Sequence, residues 1–200
     1  MNYSESERCK PLLAGVDEAG RGPLAGPVVA SAVILGENFN CEGLDDSKKL
    51  GEKARAKLDT QIRKHAISWS IGMATVIEID GLNIHNATLL AMRRAILGLT
   101  VWPSSVLVDG KFIPSLSIPA YAKIGGDSLF PVISAASIIA KQARDRLLRR
   151  YDETYPGFGF SQHKGYPTKL HLEALNKLGI TPIHRRSYAP VRKVLEVVDG

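Results

Sequence analysis

An α/β fold with a mixed β-sheet flanked by helices is what this sequence predicts, on three observations. Short Val-, Ile- and Leu-rich runs alternate along the chain with segments of helical period. Those runs are bounded by glycine and proline, as buried strands are. A long amphipathic segment, Phe130 to Arg150, holds four small residues in a row, Ser134, Ala135, Ala136 and Ser137, which let a helix press close to a sheet.

The elements follow in order. Leu12–Val16 and Val28–Leu35 read as buried strands, and Lys53 to His65 has helical composition. Ile67–Met73 alternates apolar and polar residues, the pattern of a half-buried strand. Asn83 to Leu99 is helical, with Ala87, Leu90, Ala91, Ala95 and Leu99 on one face. Val106–Val108 is a short strand running into Asp109-Gly110, and Ala120 to Ile124 forms another before Gly125-Gly126. In the long helix Pro131 suits the first turn, and Val132, Ala136, Ile139, Ala140, Ala143 and Leu147 keep the period. Pro156 to Pro167 is a glycine-rich loop and Thr168 to Leu178 a short helix. Residues 12–200 read as a single domain with a C-terminal helical part, and 1–11 as a polar N-terminal extension.

Composition narrows the function. With 200 residues, 44% hydrophobic and 23% charged, the chain is ample for one sizeable core. The formal charge is +6. Residues 1–100 hold 12 basic and 12 acidic side chains, whereas residues 101–200 hold 14 and 8. The excess therefore lies in the second half, which suggests either a basic face for a polyanion or a merely soluble basic surface. Cys9 and Cys41 are the only cysteines, so neither a disulfide framework nor a zinc pattern is available. With a polar N-terminus and no apolar stretch long enough to span a bilayer, a cytoplasmic protein without a membrane partner is expected.

The chemistry concentrates at Val16-Asp17-Glu18-Ala19-Gly20-Arg21-Gly22-Pro23. Adjacent carboxylates at a strand end suit a hard divalent cation. The glycines let a backbone approach a ligand closely, and the arginine between them offers a planar cation to a phosphate. Asp109 and Asp127 stand in similar positions, one ending a strand, the other between a Gly-Gly pair and the long helix. Sites in open α/β sheets gather at strand ends, so the four acids can meet in space. Adjacent strand residues face opposite ways, so Asp17 and Glu18 share a site only if the strand ceases to be regular there. Singly, Asp109-Gly110 reads equally as a turn and Asp127 as a helix cap favoured by the helix dipole. Clustered acids repel one another, and a pair of Mg²⁺ or Mn²⁺ ions would relieve that repulsion and support phosphodiester hydrolysis. The glycine turn has G-x-G-x-x-x-G spacing and is followed by a strand, so a dinucleotide fold is excluded, and no Walker motif is present.

The sequence resembles ribonuclease HII, the type 2 ribonuclease H of bacteria. Asp17-Glu18-Ala19-Gly20-Arg21-Gly22-Pro23 resembles its opening signature, and Leu24-Ala25-Gly26-Pro27-Val28-Val29 continues it. Asp46-Ser47-Lys48-Lys49-Leu50, then Asn83, Asn86, Thr88 and Met92, then Ser134-Ala135-Ala136-Ser137-Ile138 with Ala140-Lys141 and Arg144-Asp145, carry it further. His163-Lys164-Gly165-Tyr166 and His184-Arg185-Arg186-Ser187 complete it, over roughly residues 12 to 191.

The resemblance implies a ribonuclease H-like fold and a metal-dependent endonuclease. Such an enzyme cuts the RNA strand of RNA–DNA hybrids and cuts 5′ of single ribonucleotides embedded in duplex DNA, leaving 5′-phosphate and 3′-hydroxyl ends. It implies that Asp17, Glu18, Asp109 and Asp127 are the catalytic acids and hold Mn²⁺ or Mg²⁺. Gly20, Arg21 and Gly22, with Tyr166, become readers of the ribose 2′-OH. Lys48, Lys49, Arg185 and Arg186 become phosphate contacts, Ser47 and Lys48 contacts to the cleaved strand, and Asp145, beside Arg144 and Arg146, is assigned an ion pair instead of a metal. Lys111 and Gly125 depart from the family pattern. The C-terminus shows no clear sliding-clamp peptide, and a monomer is expected. Two other classes remain as alternatives: another carboxylate nuclease that cuts all-DNA substrates, and a non-enzymatic module that only binds nucleic acid.

Overall fold

The computed structural model describes residues 11–44 and 51–198. Five strands and six helices are formed among them: β1 (Leu13–Ala19), β2 (Val28–Ile34), α1 (Glu52–His65), β3 (Ser68–Ala74), α2 (Val76–Leu97), β4 (Ser105–Asp109), β5 (Ala120–Lys123), α3 (Pro131–Thr154), α4 (Phe160–His163), α5 (Lys169–Leu178) and α6 (Ala189–Val198). The sheet order is β3-β2-β1-β4-β5. The first three strands form an antiparallel meander, and β4 and β5 add in parallel beside β1. The mixed α/β sheet expected from the sequence is therefore present.

Helices cover both faces. Ala14 and Val16 of β1 point into an apolar cluster with Ala87, Ala91 and Ile96 of α2. On the other face Val33 packs with Leu58 and Ile62 of α1 and with Ala135, Ala136, Ile138 and Ile139 of α3. β2 is buried along its whole length, which explains why its sequence is a continuous apolar run without alternation. Two glycines set how closely the helices approach. A Cβ on Gly15 would lie 2.2 Å from the Val132 backbone, and one on Gly72 would lie 2.1 Å from the Ala91 carbonyl. α3 and α2 thus rest backbone-to-backbone on the sheet. Ser31 adds a polar tie, its hydroxyl donating to the Ala136 carbonyl at 2.8 Å.

Three details differ from the sequence reading. β1 runs on through Asp17 and Glu18 to Ala19, still paired with β2, so the two acids lie within the strand and not beyond it. α2 starts at Val76, seven residues before the periodic stretch. Its path breaks at Asn83 (φ 66°, ψ 164°), and the Asn83 side chain accepts from the Asn86 N–H, capping the second segment. Only that second segment carries the period seen in the sequence. α6 closes the C-terminal part, where Leu24, Leu175 and Val191 form a small satellite core.

The closeness of α3 to β1 is testable. Gly15→Ala forces a methyl group into the first turn of α3 and should lower stability by about 1–3 kcal/mol in urea denaturation. Wild-type stability in that variant would mean that α3 does not rest on Gly15.

Candidate active site

β4 pairs with β1 only as far as Val16↔Val108. Beyond that register the two parallel strands part, at the carboxyl end of both. Asp17 and Glu18, the next two residues of β1, keep their pairing with β2 and both line the cleft that begins there. The strand need not become irregular; it needs only to lose one neighbour. Asp109, the last residue of β4, stands across the gap. The result is a cleft of about 410 Å³ lined by Asp17, Glu18, Ala19, Arg55, Asp109, Ser137, Lys141 and Tyr166.

The electrostatics follow from this crowding. Asp17 is 5% exposed, and burial, then Glu18, then Asp109 push its carboxyl well above the usual range. A Ser137 hydroxyl and the Glu18 N–H (2.7 Å) hydrogen-bond to it and offset part of that cost. Burial also raises Glu18, against the pull of Arg21, whose Nη1 lies 3.5 Å from its Oε1. Asp109 accepts the Gly126 N–H at 2.7 Å through Oδ1, which fixes its orientation. Asp127 is buried in the 3₁₀ turn Gly126–Ser128 just beyond and does not line the cleft. It does not cap α3 either, since the cap position is Phe130. Three of the four predicted acids are thus brought together and the fourth sits in the adjoining turn. Among the described residues no three acidic, histidine or cysteine side chains are arranged so that they could hold a metal ion between them as they stand. The donor type nevertheless fits hard divalent cations, because Asp17, Glu18 and Asp109 bring carboxylate oxygens to one cleft.

The rim of the cleft is the Gly20-Arg21-Gly22 turn. Gly20 has φ +96°, and a Cβ there would lie 2.0 Å from Nε of Arg144, so both conformation and space demand glycine. A Cβ on Gly22 would lie 3.4 Å from the Tyr166 ring. Tyr166 therefore lies beside the turn, as the sequence reading expects. Arg21 is exposed, with its carbonyl accepting from the Tyr188 hydroxyl at 2.6 Å.

Two buried arginines hold this turn from beneath. Arg144 donates to the carbonyls of Pro27 (3.2 Å), Lys164 (2.9 Å) and Ala25 (3.0 Å). Arg185 donates to those of Gly26 (2.9 and 2.8 Å), Arg21 (2.8 Å) and Gly20 (2.5 Å). Arg185 is fully buried, so the phosphate contact expected of it is corrected: its fork is spent on backbone carbonyls and the Tyr188 hydroxyl (2.9 Å). Arg144, matched in the sequence but given no role there, does the same work. Two of the cations in the basic second half are thus interior groups, not part of a charged face. Arg186 is exposed, its N–H held by Asp80 at 2.9 Å. Ser47, Lys48 and Lys49 lie outside the described residues. Asp145 makes its ion pair with Lys141 (2.8 Å), one helical turn away, and not with its sequence neighbours.

Nothing in the sequence assigned a function to Arg55, Lys141 or Ser137, which line the cleft, although Lys141 and Ser137 stand in the motif that carries the resemblance. The signal available for Ser137 was its place nearly two turns into α3, the helix that rests on β1.

The sequence pattern of the ribonuclease HII family matches residues 14–191. The chain belongs to that family. A structural relative, ribonuclease H2 from Pyrococcus horikoshii OT3, is 29% identical, with 94% of this chain and 99% of that one aligned at a TM-score of 0.80. The ribonuclease HII of Archaeoglobus fulgidus, solved in complex with PCNA, is 26% identical over 88% of this chain and 95% of that one, with a TM-score of 0.75. Bst-RNase HIII in complex with Mn²⁺ shares the fold at 14% identity, over 94% of this chain and 70% of that one, with a TM-score of 0.73. The fold is ribonuclease H-like, and the protein is a ribonuclease H, an endonuclease acting on the RNA strand of RNA–DNA hybrids. No helix among the described residues is long and apolar enough to cross a membrane.

The support beneath the turn generates a prediction. Arg185→Lys keeps a cation but loses the fork, leaving buried carbonyls without donors. Stability in urea should fall by about 2 kcal/mol. An unchanged unfolding midpoint would show that the turn holds itself.

Proposed function

We propose that this ribonuclease HII cuts duplex DNA on the 5′ side of single embedded ribonucleotides, as well as longer hybrids, and thereby serves ribonucleotide removal. The observation that carries this reading is the cleft itself: Asp17, Glu18 and Asp109 share it with Tyr166, whose ring borders the Gly20-Arg21-Gly22 turn. Acids for phosphodiester hydrolysis and a rigid backbone reader thus stand on one rim.

In this reading Asp17, Glu18 and Asp109, completed by Asp127, hold Mn²⁺ or Mg²⁺. Bound there, two hard cations would supply water activation and neutralise charge on the leaving oxygen. The Mn²⁺ found in Bst-RNase HIII agrees with that ligand chemistry. The residues of the chain do the rest. Water attacks phosphorus at the 5′ side of the ribonucleotide, and the bond from phosphorus to the preceding 3′ oxygen breaks. That oxygen takes a proton, giving a 3′-hydroxyl end and a 5′-phosphate end. The carbonyls of Gly20 and Arg21 are engaged by Arg185 from below, so the turn meets a 2′-OH as a fixed surface and loses little entropy on binding. The 2′-OH is donor and acceptor at once, which is what a backbone turn can test for. Tyr166 packs its ring against the sugar. Arg21, Arg55, Lys141 and Arg186 face phosphates, with Ser47 and Lys48 assigned to the cleaved strand.

The Archaeoglobus relative binds PCNA; for this chain the partner we assign is the nucleic acid alone, with the protein acting as a monomer in the cytoplasm. The test is a DNA duplex carrying one ribonucleotide beside an all-DNA control, with Mg²⁺, Mn²⁺ or EDTA. Metal-dependent cutting just 5′ of the ribonucleotide, with the control intact, is expected. Equal cutting of the all-DNA duplex would overturn the 2′-OH reading. Asp109→Asn should reduce cutting to background while leaving duplex binding in place; retained activity would remove Asp109 from the chemistry.

A further inference from the structure

Behind Tyr166 lie three buried histidines, His163 on α4, His171 on α5 and His184 in the turn before α6. The rings of His163 and His171 stack at 4.4 Å, and Phe160 covers all three. Their hydrogen bonds have one solution. The Thr181 N–H donates to His184 Nδ1 at 2.9 Å, so that nitrogen is bare and the proton of His184 sits on Nε2. His184 Nε2 lies 3.1 Å from His171 Nε2, which must accept. The proton of His171 is then on Nδ1, 3.0 Å from the Tyr166 carbonyl, which can only accept. A backbone donor at one end and a carbonyl at the other fix every proton between. The same logic places the proton of His163 on Nε2, because Gly165 N–H donates to its Nδ1 (3.1 Å) and its Nε2 faces the Phe158 carbonyl (2.7 Å).

We infer that the His184–His171 pair is the positioning device of Tyr166: a directed chain of neutral imidazoles that holds the Tyr166 backbone and so sets its ring against the Gly22 side of the turn. The inference rests on the reading of Tyr166 as a sugar contact. The chain is no metal site, because every bare ring nitrogen already receives a proton.

The charged and titratable groups near the cluster are Arg144 of α3, whose Nη1 holds the Lys164 carbonyl, Lys164 beside α4, Tyr166 itself, and Arg185 next to His184. No carboxylate appears among the groups that shift His171 or His184, so nothing rewards a positive ring. Protonating His171 or His184 would bring two N–H groups face to face. Burial accordingly lowers His171 and brings His184 down to about 4. The unfolded chain then binds more protons than the folded one below about pH 6.5, and stability should fall from there to about pH 4.

Long-range proton–nitrogen NMR of the ring nitrogens tests the geometry. At pH 6 His171 should be neutral with its proton on Nδ1, and His184 neutral with its proton on Nε2. A charged ring, or His171 protonated on Nε2, overturns the inference. The functional arm compares His171→Asn, whose amide can still donate to the Tyr166 carbonyl, with His171→Leu, which cannot. The Leu variant should lose roughly tenfold in kcat/KM on the single-ribonucleotide duplex. The Asn variant should recover most of it, and His171→Leu should add nothing on a Tyr166→Ala background. Equal losses in the Asn and Leu variants, or an additive loss in the double variant, reject the positioning role. If Tyr166→Ala by itself leaves ribonucleotide cutting unchanged, the underlying reading of Tyr166 fails and takes the positioning role with it.

Discussion

Two buried guanidinium groups that have no carboxylate ion pair among the described residues are the constraint on which the candidate site depends. Arg144 and Arg185 are 1% and 0% exposed, and together they serve six backbone carbonyls around residues 20–27 and 164. Removing an arginine from water is costly, and aligned carbonyl dipoles are what repay it here. Burial, with Arg185 nearby, lowers Arg144 to about 10, which still leaves it charged at neutral pH. The arrangement requires arginine because only its planar fork reaches two or three carbonyls at once. It requires glycine at residue 20 because a Cβ would overlap Arg144. An interior polar network of this kind is rigid, and rigidity is what a backbone reader of one hydroxyl group needs.

The sheet supplies the other half. β1 keeps its bonds to β2 through Ala19 but loses β4 after Val16, so two adjacent acids reach one cleft without any distortion of their strand. Gly15 lets α3 approach, which places Ser137 against Asp17 and Lys141 on the cleft wall. Gly126 does the same for the turn that orients Asp109. Burial first, and the neighbouring acids after it, raise the carboxyls of Asp17 and Glu18, and hard cations are the natural remedy. Rim and floor meet because β1 runs directly from the acids into the glycine turn.

Much of this was legible from the residues. Apolar runs located the strands, and helical period located α3 and the second part of α2. The Asp-Glu-Ala-Gly-Arg-Gly signature located the cleft. What escaped were matters of direction. Nothing local in His184-Arg185-Arg186-Ser187 says that one arginine faces inward and the next outward; tertiary packing decides it. The first segment of α2 was missed because Asn83 interrupts the helical phase, so the periodicity on its two sides does not add. The helix cap that was the alternative to a site role for Asp127 is not formed, because a 3₁₀ turn intervenes and leaves Phe130 at the cap. Asp145 finds Lys141 one turn back, a pairing set by helical geometry and not by adjacency.

The most direct measurement is a crystal structure of the protein with a DNA duplex carrying one ribonucleotide, in the presence of Ca²⁺. The account predicts the 2′-OH against the backbone of Gly20-Arg21-Gly22, the Tyr166 ring on the neighbouring sugar, and the phosphate 5′ of the ribonucleotide over Asp17, Glu18 and Asp109. It also predicts that Arg144 and Arg185 keep the carbonyl partners they have here. A ribonucleotide seated away from the turn, or a turn that rebuilds its hydrogen bonds on binding, would contradict it.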